Sequence, residues 1–194
     1  MTASAALYEA LHVFEVVLRN AIHEQLTLWH RAEGRTGSWI DNPPPTLTTR
    51  SQQDLRRARR YAQDTLNVKH QKTGAQTSPP APSDGDVIAQ LTLGFWRYML
   101  AARHTHGLWH DAVRHAFPHL QPQDLQTVEK PVVRLHTLRN RIAHLEPVFA
   151  NNLKLHLRDM KIVTGYICPR TESWFTSTRS QAINDAIASS PLNK

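Results

Sequence analysis

Cysteine is nearly absent from this chain of 194 residues, since Cys168 is its only one. A single cysteine excludes an intrachain disulfide and any zinc site made of several thiolates. Long apolar runs are also missing, so we predict no membrane-spanning helix. The first residues lack a basic segment and include Glu9 and Glu15, so we expect no signal peptide. These absences together favour a cytoplasmic protein.

Several catalytic signatures are absent as well. The sequence contains no Walker loop, no G-x-G-x-x-G and no G-x-S-x-G. Phosphate-cradling glycine loops and the serine nucleophile elbow are built on those patterns. Nucleotide hydrolysis and serine esterase chemistry therefore have no support in this sequence.

Acidic residues are fewer than basic ones. The chain has 16 Asp and Glu against 23 Lys and Arg, which gives a net charge of +7 at pH 7. A basic surface favours polyanions such as nucleic acid or anionic lipid, although charge alone fits a merely basic protein equally well. Hydrophobic residues make up 40% of the chain, as in ordinary globular proteins. Length and composition predict one domain over residues 1–194.

Helical periodicity dominates the apolar pattern. The first segment shows it best, with a stripe made of Leu7, Leu11, Phe14, Leu18, Ala21 and Leu28. Glycine and proline clusters predict flexible loops near 31–46 and 70–86, and Ser83 or Asp84 is expected to cap the next helix. We predict an all-α bundle of five to seven helices, at about 4–30, 47–69, 84–103, 107–117, 122–144, 151–165 and 172–188. Pro131 is expected to interrupt or kink the fifth of these.

The segment TLRNRIAHLEPVF, residues 137–149, combines an apolar repeat with polar residues that a buried helix does not need. At 100° per residue, one predicted core stripe consists of Leu135, Leu138, Ile142 and Leu145. A polar arc beside it consists of His136, Arg139, Asn140 and His144. Arg139 and His144 lie about 140° apart, so one helix does not obviously aim both at one atom. Either the guanidinium of Arg139 reaches around, or two copies of the helix face each other.

Spacing alone is a weak signal. Arg-x4-His is expected about once by chance in a chain of this composition. A second instance, Arg114 to His119, has no asparagine and carries a proline just before the histidine, so it provides an internal comparison. The asparagine after Arg139 and the predicted helix make the pattern at residues 139–144 a more specific signal than the Arg-to-His spacing alone.

The stretch LRNRIAHLEPVF resembles the Arg-Asn-x-x-x-His signature of the HEPN superfamily, and specifically of its Abi-like (abortive infection) branch. FEVVLRNAIHEQL (14–26) is similar to the first long helix of that branch, and VIAQLTLGFWRYML (87–100) to its central Gly-aromatic helix. VTGYICPRTESWF (163–175) is similar to its closing segment. The resemblance covers most of the chain apart from 31–46 and 70–83. Leu145 departs from the pattern, because many relatives carry a second histidine there, and this bears on accessory contacts more than on the reaction.

This resemblance implies a HEPN-like helical bundle with metal-independent endoribonuclease activity, acting in phage defence (abortive infection) or as a toxin. It implies a homodimer whose two motif helices border a shared active-site cleft, which would bring Arg139 of one subunit beside His144 of the other. RNA is the implied partner, no metal or cofactor is required, and control by an antitoxin or a regulatory RNA is left open. The alternative is a non-catalytic dimerisation module that binds RNA or a protein.

The motif residues suit RNA cleavage, because RNA carries its own nucleophile in the 2′-hydroxyl. Histidine, with an unperturbed pKa of about 6.5, transfers protons near neutral pH. Arginine stays charged, and its fork fits phosphate oxygens. We therefore assign proton transfer to His144 and phosphate binding to Arg139, and expect Asn140 to orient His144 or bind the phosphate. The same residues also fit a surface or a dimer interface without catalysis.

Other polar residues are candidates for RNA binding. RRARR (56–60) places Arg56, Arg57, Arg59 and Arg60 beside Tyr61, which suits phosphate binding with base stacking or simply an exposed face. In LRNAIH (18–23), Arg19 stands one residue closer to its histidine than Arg139 does, and we treat Arg19 and Asn20 as structural or auxiliary. His136 either lines the cleft or is solvated, and Glu146 either pairs with an arginine such as Arg139 or is a helix-end charge.

Five histidines lie close together in sequence, at positions 104, 106, 110, 115 and 119. His106 and His110 have the spacing of two zinc ligands on one helix face. No glutamate follows His106 as a zincin would require, and Asp111 is the one carboxylate in that stretch. We therefore predict solvated or capping histidines and no metal site.

Overall fold

The computed structural model describes residues 2–73, 77–148 and 152–188, with all their side chains except those of 2–4, 102–106, 182 and 186–188. Every regular element in these ranges is helical, which confirms the all-α prediction. The α-helices are α1 Thr2–Ala32, α2 Thr49–Lys72, α3 Asp84–Ile88, α4 Leu93–Met99, α5 Ala102–Asp111, α6 Leu125–Ala143, α7 Leu153–Ile167, α8 Pro169–Phe175 and α9 Gln181–Ala188. A 3₁₀ turn, Val113–Ala116, follows α5, and a π-helical turn, Thr176–Ser180, joins α8 to α9. None of the described helices combines the length and the hydrophobicity that crossing a bilayer requires.

The long helix α1 packs against α4, α6, α7 and α9. Four residues of its predicted stripe are at most 1% exposed, namely Leu7, Leu11, Phe14 and Leu18. Leu28 is 51% exposed, so its assignment to the stripe was wrong. The buried stripe continues in steps of four through Ile22 and Leu26, because 3.6 residues complete one turn.

The loop after α1 is anchored to the core. Gly34 has φ of +69°, and two backbone bonds close the end of α1 around it, from Gly34 N to Arg31 O and from Arg35 N to His30 O. This is the Schellman arrangement, in which glycine avoids the strain of a left-handed backbone. Further along, Trp39 is 1% exposed and Ile40 is 5% exposed. The described loop therefore differs from the flexible connection that its glycines and prolines predicted.

The single helix predicted over 84–103 consists of α3, α4 and the start of α5. Ser83 caps α3 as predicted, through a capping box with Asp86. A turn at residues 89–92 then separates α3 from α4. Leu91 and Leu93 are both buried, whereas one continuous helix would place them about 200° apart. The turn lets both leucines reach the core.

Other helix boundaries also differ from the predicted ones. α5 begins earlier than expected, α7 extends to Ile167, and α8 already starts at Pro169. Pro131 is buried inside α6, which continues past it, so of the predicted interruption or kink the interruption does not occur. Residue 151 lies outside the described residues.

His23 and Trp39 connect α1 to the loop that follows it. The indole Nε1 donates a hydrogen bond of 3.0 Å to His23 Nδ1, and this requires an unprotonated Nδ1. Burial lowers the pKa of His23 below its ordinary 6.5, against opposing effects of Asp84 and Glu24. Burial also lowers the pKa of His136 and His156.

We predict that acid destabilises the fold through these histidines. A pKa lowered by folding means that the unfolded chain binds more protons, so this stability is present above about pH 6.5 and is lost as the pH falls below it. The melting temperature should therefore fall between about pH 7.5 and about pH 5.5, and His23→Gln, which keeps an acceptor for Trp39, should flatten that fall. The exposed His119 supplies the control His119→Gln, and an unchanged slope in His23→Gln would contradict the prediction.

Candidate active site

The helix α6 positions the motif residues. Asp124 caps its start by accepting a hydrogen bond from the Gln126 backbone N–H. Its buried stripe packs against α1, α4 and α7, and consists of Val128, Val132, Leu135 and Leu138, each at most 1% exposed. Because this stripe fixes the rotation of the helix, it also fixes the direction of every polar residue on α6.

An ion pair joins α6 to α7. Arg134 donates from Nε to Asp159 Oδ2 at 2.7 Å and from Nη2 to Asp159 Oδ1 at 2.8 Å. The Asp159 side chain is 4% exposed, while that of Arg134 is 40% exposed. Paired bonds of this kind fix orientation as well as distance. The interaction therefore holds the motif helix in register on α7.

Arg139 lines a small cavity against α1, which we call the α1 cavity. Its volume is about 210 Å³, and its polar lining includes His12, Glu15, Arg19 and Arg139. Burial raises the pKa of Glu15, although the positive charges of Arg139 and Arg19 oppose the rise. Arg19 Nε is buried and has no hydrogen-bond partner among the described residues. The cavity thus presents two guanidinium groups beside one carboxyl, so its described charged side chains carry an excess of positive charge.

His136 and Asn140 line a larger cavity against α2 and α4, which we call the α2 cavity. Its volume is about 410 Å³, and its other polar side chains include Arg50, Arg57, Tyr61 and Tyr98. The Asn140 amide Nδ2 lies 3.4 Å from His136 Nε2. Because an amide nitrogen only donates, Nε2 must accept, which requires a neutral imidazole.

The surroundings of His136 favour that neutral form. Burial lowers the pKa of His136, and the nearby charges of Arg97 and Arg139 lower it further. A Cβ added at Gly94 would lie 3.1 Å from His136 Nε2, so glycine in α4 leaves room for the ring. His136 therefore lines the cleft, which is one of the two interpretations that the sequence left open.

The two cavities are neighbours. Both are lined by Gln90, Leu91 and Thr92, the turn between α3 and α4, and α6 borders each of them. Arg139 faces one cavity, and His136 and Asn140 face the other, as their separation around the helix dictates. Together they form one cationic cleft that contains Arg19, Arg57 and His136 among the predicted RNA-binding residues.

His144 lies outside this cleft. It is the C-cap residue of α6, it is exposed, and its backbone N–H donates to Asn140 O at 2.9 Å. It lines neither cavity, and the Asn140 side chain faces His136 instead. The chain therefore brings Arg139 and Asn140 to the cleft and presents His144 at the adjacent helix end.

Leu145 corrects one sequence prediction. It is 92% exposed and has φ of 57°, so it does not belong to the core stripe. The helix ends at Ala143, and bonds from Leu145 N to Ile142 O and from Glu146 N to Arg141 O form the same Schellman arrangement that Gly34 forms after α1. A left-handed backbone strains leucine where glycine would be relaxed.

The arginines of RRARR point in different directions. Arg57 lines the α2 cavity with Tyr61, and it lies 3.9 Å from Asp54. Arg59 pairs with Asp41 of the first loop. Arg56 and Arg60 are exposed, and neither forms an ion pair with a described residue. The structure thus brings Arg57 into the site and leaves the other three outside it.

Four other candidates from the sequence are His104, His106, Glu146 and Asn20. The side chains of His104 and His106 lie outside the described residues, and no three metal-ligating side chains cluster among the described ones. Glu146 lies 3.9 Å from Arg141 rather than near Arg139, and Asn20 is exposed on α1.

Sequence reasoning missed Arg50, Tyr98 and Glu15. Arg50 Cζ lies 5.5 Å and Arg97 Cζ lies 4.9 Å from the centre of the Tyr98 ring. Arg50 and Arg57 are seven residues apart on α2 and share a face, so helical spacing signals that pair. Nothing in the local sequence shows that α2 and α4 meet at α6.

Comparisons of the chain with protein-family models, with curated proteins and with solved structures found no match.

We predict that the two halves of the ion pair differ in their effect on stability. Arg134→Ala leaves the buried Asp159 carboxylate without its partner and should lower the free energy of unfolding by about 1–3 kcal/mol, less than for a fully buried pair because Arg134 is partly solvated. Asp159→Asn keeps the shape and leaves Arg134 partly solvated, so it should cost less. Denaturant unfolding of both variants measures the difference, and a larger loss in Asp159→Asn would contradict the assignment.

We also predict that Leu145→Gly raises the free energy of unfolding by about 0.5–1 kcal/mol, because it relieves the left-handed strain. Leu145→Ala removes most of the same side chain but keeps Cβ, so it should give no such gain. Urea unfolding of both variants tests this prediction, and equal stability of the two would refute the strain at this position.

Proposed function

We propose that this protein is a HEPN-type, Abi-like endoribonuclease that cleaves RNA without a metal ion and acts in phage defence or as a toxin. The observation that carries the proposal is the cationic cleft along α6. It combines Arg139 and Asn140 of the motif with Arg19, Arg50 and Arg57 from two other helices. The net charge of +7 supports a polyanionic substrate.

The proposed reaction uses the 2′-hydroxyl of RNA as nucleophile. A general base removes its proton, O2′ bonds to phosphorus, and the bond from phosphorus to O5′ breaks. A general acid protonates O5′, so the products are a 2′,3′-cyclic phosphate and a 5′-hydroxyl. His144 transfers protons, and Arg139 binds the scissile phosphate as negative charge develops in the transition state.

Arg139 and His144 act together most simply across two subunits. Within one chain, Arg139 faces the α1 cavity and His144 is exposed at the end of α6. A two-fold axis near that end would place His144 of one subunit beside the cleft of the other. The exposed Leu145 adjoins His144 and supplies apolar surface for such a contact. We therefore include a homodimer with a shared cleft in the proposal.

A second candidate function is a non-catalytic module that binds RNA or a protein. The observation that favours it is the position of His144 outside the cavity that Arg139 lines. Such a module keeps the basic cleft but needs no proton transfer. His144 substitutions would then leave its function intact.

The test uses purified protein and end-labelled RNA in excess EDTA. The wild type should leave cyclic phosphate ends, while His144→Ala and Arg139→Ala should each lose about a hundredfold or more in rate. His119→Ala is the matched control, because His119 is also exposed and stands five residues after an arginine. It should cleave like the wild type.

Each other outcome has a defined meaning. Equal cleavage by the wild type, His144→Ala, His136→Ala and Arg139→Ala would contradict the assignment of the motif and indicate a contaminating nuclease. Loss of cleavage in His136→Ala but not in His144→Ala would move proton transfer to His136. RNA binding without cleavage by the wild type would favour the non-catalytic module.

A further inference from the structure

A groove between α7, α8 and α9 is separate from the cationic cleft, and we call it the α7 groove. Its volume is about 710 Å³, which is larger than either cavity of the cleft and falls within the usual range of small-ligand sites, roughly 300–1,000 Å³. No described residue lines both the groove and the cleft. The proposed RNA chemistry therefore leaves the groove without a role.

One end of the α7 groove is cationic. Lys154 and Arg158 line it, lie one turn apart on the same face of α7, and are both exposed to solvent. Neither forms an ion pair with a described residue. Two cations at this spacing can converge on one anionic group, and a guanidinium binds a carboxylate through two parallel hydrogen bonds. This end of the groove therefore suits the head of an anionic ligand.

The rest of the described lining has no unpaired charge. Lys161 lies 4.0 Å from Glu172, whose Oε1 also accepts a hydrogen bond of 2.7 Å from Thr176 Oγ1. The other described lining residues are uncharged, and they are Leu157, Ile162, Gly165, Tyr166, Pro169 and Asn184. Apolar surface therefore continues along the groove from its cationic end.

The groove has the length of one medium-sized carbon chain. Lys154 and Gly165 both line it, and their separation along α7 corresponds to about 16 Å. An extended carbon chain advances about 1.2 Å per bond, so roughly ten carbons and a head group fit between these positions. An acidic partner helix would need cations along the whole groove, whereas the unpaired ones lie at one end. The distribution of charge therefore favours a single anionic head attached to a single apolar chain.

We propose that the α7 groove binds one single-chain amphiphilic anion that is free in solution, such as a medium-chain fatty carboxylate. Its head binds Lys154 and Arg158, and its chain lies along Leu157, Ile162 and Tyr166. Burial of the chain supplies the affinity, and the two cations select the anionic head. This binding is independent of the RNA chemistry, because the groove and the cleft share no described residue.

The test measures displacement of dansylaminoundecanoic acid, a fatty carboxylate whose fluorescence rises in an apolar site, from the purified full chain near neutral pH. Decanoate, kept below its micellar concentration, should displace this probe at least about tenfold better than decanol does, because the alcohol lacks the charge. Hexanoate should also compete at least about tenfold more weakly than decanoate, since each buried CH₂ group adds to the affinity.

Two matched double variants test where the ligand binds. Lys154→Gln combined with Arg158→Gln should weaken decanoate binding about 10- to 100-fold and leave decanol binding unchanged. Arg56→Gln combined with Arg60→Gln removes the same charge at the same helical spacing outside the groove, and it should change neither affinity. Ile162→Glu, at a half-buried position of the lining, should abolish binding because it places a carboxylate against the chain.

Failure of decanoate to displace the probe, or equal displacement by decanoate and decanol, would overturn the proposal. Unchanged decanoate affinity in the Lys154 and Arg158 double variant would overturn it as well. If decanoate fails but the chain sediments with phosphatidylglycerol vesicles through Lys154 and Arg158, the groove contacts a lipid surface instead. If decanoate fails but a helical peptide rich in Leu and Glu binds there, the groove takes a protein partner instead.

Discussion

The packing of α6 is the constraint on which the rest of the site depends. Its buried stripe and the paired bonds from Arg134 to Asp159 fix both the rotation and the register of the helix. Once these are fixed, a rotation of 100° per residue assigns Arg139 to the α1 cavity and Asn140 to the α2 cavity. Neither assignment requires a special property of those two side chains.

The electrostatics of the cleft follow from this geometry. Guanidinium groups from α1, α2 and α6 converge on two adjoining cavities, where the carboxyl of Glu15 is half-buried and that of Asp54 pairs with Arg57. The same surroundings favour the neutral form of His136 and suit it to hydrogen bonding rather than to charge pairing. His144 lies at the exposed end of α6, outside the cleft, and the proposed homodimer would bring it to a phosphate bound at Arg139.

Much of the fold was predictable from the sequence, because helix periodicity and caps are local. The α1 stripe to Leu18, the cap at Ser83 and the end of α1 near Gly34 all rest on nearby residues. The exposure of Leu145 and the turn at 89–92 were not predictable. Leu145 is exposed because α6 ends at Ala143, and the turn forms where Leu91 and Leu93 both reach the core. For the site, the pattern on α6 identified Arg139 and Asn140 as polar neighbours. The contributions of Arg50, Tyr98 and Glu15 depend on how separate helices meet.

The central claim is that Arg139 and His144 act together across two subunits, and a mixture of two inactive variants tests it most directly. Arg139→Ala and His144→Ala proteins are mixed, allowed to exchange subunits, and assayed on RNA in EDTA. If the site is shared, a mixed dimer contains one site with both residues intact, so activity should return to roughly a quarter of the wild-type level after random exchange. No recovery, with mixed dimers present, would contradict the shared cleft.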